Sequence, residues 1–154
     1  ASTRTDRWLR VAADVINATV SFADITGLTC PVENGKTYNF EAHLFHFENA
    51  TTTGPRFGIN GPTLTNVQVN GYDVVVSGVD TTTMRSGSAQ AVDTSYVGAS
   101  LTGRITTPAL ALFSGQFTAG ANGTFAVRSQ SEIAVAAGVT VRAGSWCHVW
   151  EPTG

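Results

Sequence analysis

"KTYNFEAHLFHFE", residues 36–48, reads as a strand with two apolar faces. In extended chain, successive side chains alternate, so Tyr38, Phe40, Ala42, Leu44 and His46 share one side while Glu41, His43, Phe45 and Phe47 share the other. A surface strand would alternate apolar with polar; large apolar groups on both sides predict burial on both. Either a loop or second sheet covers the outer side, or another subunit does. "SWCHVWE", residues 145–151, repeats the pattern, with Trp146, His148 and Trp150 on one face and Cys147 and Val149 on the other. Two such strands in a small chain predict self-association, because monomers rarely expose large apolar patches. The expected interface is His43, Phe45, His46, Phe47, Trp146, His148 and Trp150, in a homotrimer.

The three histidines of the chain lie within these two stretches. His43 and His46 diverge in a strand, whereas a metal needs ligands two apart in a strand, or three to four apart in a helix, and a third donor. No metal and no cofactor is therefore expected. A Ser or Thr nucleophile would need a positioned base and acid, and there is no G-x-S-x-G elbow. "GPRFGINGPT" has neither the Lys–Ser/Thr ending nor the following helix of a phosphate loop. Glu41, Glu48 and Glu132 are the carboxylates a sugar hydrolase would draw on, against the alternative of exposed charges that keep strands soluble. The chain is not expected to be an enzyme.

Only 13% of the 154 residues are charged, against roughly a quarter in ordinary soluble domains. Thr, Ser, Asn and Gly supply the polar surface, and Thr suits a half-buried strand. With a formal net charge of −2 and Lys36 as the sole lysine, no basic stripe exists to neutralise phosphates, so no nucleic-acid partner is expected. No run approaches the ~20 apolar residues of a membrane helix, and no membrane role is expected.

Turn signals at "TGL" 26–28, "ENG" 33–35, "TTTGP" 51–55, "NGP" 60–62, "NG" 70–71, "RSGS" 85–88, "TAGANG" 118–123 and "RAGS" 142–145 separate short β-branched or aromatic runs. This predicts one all-β domain over 1–154, an antiparallel, jelly-roll-like β-sandwich of about 8–10 short strands. Alternation is cleanest in "TVSFADI", with Val20, Phe22 and Asp24 facing one way, and in "GTFAVRSQSEI", with Phe125, Val127, Ser129 and Ser131 on one face. Residues 79–100 look least strand-like and predict a long loop, with Arg85, Asp93 and Tyr96 as a possible contact surface. Cys30 and Cys147 read as small buried hydrophobes; a bridge would require the first and last thirds of the chain to meet. The N-x-Ser/Thr triplets at Asn17, Asn49 and Asn122 are read as unmodified.

The strand ending "DITGL", the apolar–Pro–Val step into "GKTYNFEA", the Thr–Gly turn, "GINGP" and the closing "VRAGS" together resemble a family of small bacteriophage virion proteins. The resemblance covers about two thirds of the chain and fades from 63 to 100. Such proteins look like capsid decoration (cement) proteins or head domains of head or tail fibres, similar in architecture to trimeric jelly rolls of the tumour necrosis factor type. The resemblance implies an assembly role in the virion, built in the bacterial cytoplasm, with copies of itself and the major capsid protein or a fibre shaft as partners. It implies no catalytic residue. The alternative within it is a lectin-like receptor-binding head.

Overall fold

The computed structural model describes residues 4–50, 53–76, 82–96 and 108–153. The described residues form eleven strands and no helix: β1 Asp6–Arg10, β2 Val15–Asn17, β3 Ala23–Val32, β4 Thr37–Glu48, β5 Pro55–Asn60, β6 Leu64–Val76, β7 Thr82–Ala89, β8 Ala109–Ala119, β9 Gly123–Ser131, β10 Val139–Val141 and β11 Trp146–Trp150. They build two antiparallel sheets. The larger runs β1-β11-β4-β8-β6-β7, with β10 continuing β11's edge along β4 and carrying β2; the smaller is β3-β9-β5. Among the pairs, only β6 and β7 are neighbours in sequence, so the chain crosses repeatedly between sheets, as in a jelly roll.

The core lies between the sheets. Tyr38, Phe40, Ala42 and Leu44 of β4 and Phe113 and Phe117 of β8 meet Phe125 and Val127 of β9 and Phe57 and Ile59 of β5. Phe117 stacks on Phe125 at 4.6 Å, and Phe40 lies 5.6 Å from Phe125. Tyr38 keeps its hydroxyl in this layer by accepting from the Glu33 amide at 2.9 Å. β4 alternates as its sequence requires, every even residue from Tyr38 to Glu48 buried. In β9 the odd residues from Phe125 to Ser131 are buried, and Ala126 with them.

Several expectations change. "TVSFADI" is not a strand before Ala23, because Asn17 folds the chain there. Its side-chain oxygen accepts from the Thr19 amide and hydroxyl, and its amino group donates to the carbonyls of Ser21 and Ser129. Residues 79–100 are not all loop, since Thr82–Ala89 pairs along β6 as β7 and takes in "RSGS". "TGL" is a bulge inside β3: Gly27 sits at φ +96°, and a Cβ there would meet the Arg10 carbonyl oxygen at 2.4 Å. "NG" at 70–71 is mid-strand in β6, where a Cβ on Gly71 would meet that of Phe113 at 2.4 Å. These glycines permit close approach of backbone rather than a turn. Cys30 and Cys147 are both free thiols, and burial pushes the Cys30 thiol up to about 11.

Candidate functional site

The outer face of the large sheet is where the sequence-selected aromatics gather. β11 pairs with β4 so that Trp146 lies opposite His43 and His148 opposite Glu41; β1 then sets Trp8 opposite His148. Five rings stack in a ladder. Trp150 meets His148 at 4.5 Å, His148 meets Trp8 at 4.1 Å with planes 4° apart, Trp8 touches Trp146 at 5.3 Å, and Trp146 covers His43 at 4.0 Å. Each histidine is tied to a carboxylate on the same face, His148 to Asp6 at 2.7 Å and His43 to Glu41 at 2.8 Å. The turn at 142–145 stitches this region together, as the Arg142 amide donates to the Phe45 carbonyl and the Phe45 amide donates to the Ser145 hydroxyl. Arg142 lies over the Phe47 ring at 5.8 Å.

The outer face divides in two. Next to the ladder, register brings Trp146, His43, Leu112 and Tyr72 into one row and Phe45 opposite Leu110, and Met84 extends the apolar surface on β7. This half stays open: Trp8 is 67% exposed, Phe45 40% and Met84 65%. At the other end, the rows hold Trp150, Asn39, Gln116 and Gln68, and beside them Ser114 and Asn70. A bulge in β6 between Thr65 and Gln68, with Asn66 at φ +51°, bends the strand there. The result is a shallow recess of about 360 Å³ lined by these amides and Trp150.

His46 does not belong to this face, which corrects its assignment to an interface. It is fully buried, with Nδ1 2.5 Å from Glu48 Oε1, Nε2 2.8 Å from Asp73 Oδ1, and Phe57 of the small sheet edge-on at 5.1 Å. Glu48 is likewise buried rather than an exposed solubilising charge. Burial alone would pull the His46 pKa down, but Asp73 and then Glu48 reverse this and raise it to about 10, so the ring is an imidazolium at neutral pH. Both ring N–H groups donate to carboxylates, and the second Asp73 oxygen has no hydrogen-bond partner among the described residues.

The remaining selected residues lie elsewhere. Tyr96 is not a contact residue: it is buried against Phe113 at 4.8 Å, its hydroxyl donating to the Tyr72 carbonyl. Asp93 is exposed, yet both its oxygens are held by Arg128, which also grips Asp24. Arg85 pairs with Asp73 through the backbone of β7, and its side chain is outside the described residues. Glu132 accepts from the Gly54 amide. His43 and His46 point to opposite sides of β4, and among the described residues no group of three or more His, Cys, Asp or Glu is arranged to hold a metal.

Trp8, Glu48 and Asp73 were not marked as partners by sequence. Glu48 had a local signal, standing two residues from His46 and therefore on the same strand face. Trp8 and Asp73 are brought in by register across strands distant in sequence.

No protein-family model and no curated protein matches the chain. Among solved structures it is similar, at 9% identity and a TM-score of 0.22, to a chain in "Structure of infectious bursal disease virus Gt strain". The match covers 98% of this chain and 38% of that one, and a score this low carries no argument about function.

Proposed function

We propose that the chain is a bacteriophage structural protein, a capsid decoration protein that binds the outer capsid surface as a homotrimer and stabilises it. The role is non-enzymatic and uses no cofactor, nucleic acid or membrane. The observation that carries this reading is the apolar half of the outer face, where Trp8, Phe45 and Met84 stand exposed beside stacked Trp146 and His43. Trp, Phe and Met are the residues enriched in interface centres. The inner face of the same sheet is already filled by the small sheet, so the outer one is the surface left for a second copy or for the major capsid protein. The three-fold arrangement comes from the resemblance to phage virion proteins.

Sedimentation at micromolar concentration, with and without emptied capsids, tests it. A trimer, alone or on the capsid, together with protection of heads against heat supports the reading. A monomer without capsid affinity sinks it. A second reading, the receptor-binding head of a phage fibre seated on a fibre shaft, is favoured by the uncharged, amide-lined recess at the other end of the face. Binding to host cells without capsid affinity would select it.

A further inference from the structure

The recess beside Trp150 has the chemistry of a sugar site, and we propose that it binds a neutral pyranose. The lining offers four amides, Asn39, Gln68, Asn70 and Gln116, together with the Ser114 hydroxyl, and no charged side chain. An anionic ligand would find no cation there, and a purely apolar one would strand the amides without partners. A sugar ring matches both features, because its hydroxyls each donate and accept while its C–H face is apolar.

Two details favour this occupant. Gln116 Nε2 donates to Asn39 Oδ1 at 3.0 Å, which fixes the two amides as a pair. That bond uses one donor and one acceptor and leaves the Asn39 amino group and the Gln116 carbonyl oxygen for a ligand. A donor and an acceptor side by side suit two adjacent hydroxyls of one ring. Trp150 supplies the wall for the C–H face, held in place by its stack on His148, which stacks in turn on Trp8. The site therefore lies on the sheet face, and not on the 79–100 segment.

The proposal takes its biological meaning from the receptor-binding reading, while its chemistry does not depend on it. The test is an array of neutral glycans probed with the intact chain, followed by titration of the strongest hit by tryptophan fluorescence. Wild-type chain is expected to bind a neutral pyranose, and Asn39→Ala and Gln116→Ala each to weaken it roughly tenfold with unchanged melting. Trp150→Ala should abolish binding and Trp150→Phe retain part of it, while Phe45→Ser, in the apolar half, leaves affinity intact. The absence of any neutral hit, or affinity unchanged by both amide variants, overturns the site. Host-cell adhesion insensitive to the amide variants would also overturn it and leave the receptor reading standing. Recess binding without adhesion would support the site and remove that reading.

Discussion

His43 and His46 lie three residues apart on one strand, and each binds a carboxylate two residues away on its own face, Glu41 for one and Glu48 for the other. The local motif is the same; the surroundings differ. His46 points between the sheets, where Asp73 adds a second carboxylate and Phe57 closes the site. His43 points outward and takes the flat face of Trp146 instead. A His–carboxylate pair in water is worth little, whereas the buried cluster must keep every member to offset desolvation. The layer, not the pair, sets the energetic weight of each histidine.

The sharpest way to break this comparison is to truncate each histidine. His46→Ala leaves two carboxylates buried without their cation and should cost about 3–5 kcal/mol in urea unfolding. Equal losses for His43→Ala would show that the layers do not differ as described. Next to it stands Phe40→Ala on the inner face, expected to cost about 3–5 kcal/mol because the ring is fully buried among Phe113, Phe117 and Phe125.

A titration sharpens the same contrast. The folded pKa of His46 is raised to about 10 from an ordinary 6.5, so its stabilisation is complete below the unfolded value. It declines as pH rises, and is lost through pH 10. Melting temperature between pH 7 and 11 should fall in the wild type through this window, and His46→Ala should lack that component. The smallest effect on stability is expected at Trp8→Ser, within about 1 kcal/mol for the monomer, since the ring is mostly exposed. Sedimentation should nevertheless show weakened self-association in that variant.

Much of the inner architecture was legible in the sequence. Alternation in "KTYNFEAHLFHFE" and "GTFAVRSQS" sorted the residues of β4 and β9 into two opposing faces, because a strand has a period of two whatever surrounds it, but left open which face is inside. Glycine was harder to read. Gly27 and Gly71 looked like turns, yet serve a bulge and a close strand approach, and nothing local distinguishes these uses. Tyr96 looked like a loop contact, and only packing against Phe113 shows it to be core.

By itself, then, the sequence determined that His43 and His46 face opposite ways, that the chain is built of strands, and that two of those strands carry apolar groups on both sides. These follow from local backbone geometry. Only the tertiary structure decided which face was inside, that Trp8 completes the ring ladder, that Asp73 completes the buried cluster, and that Asn39 meets Gln116 beside Trp150. Each depends on register between strands far apart in the chain, and a shift of one residue would turn every such partner to the other face.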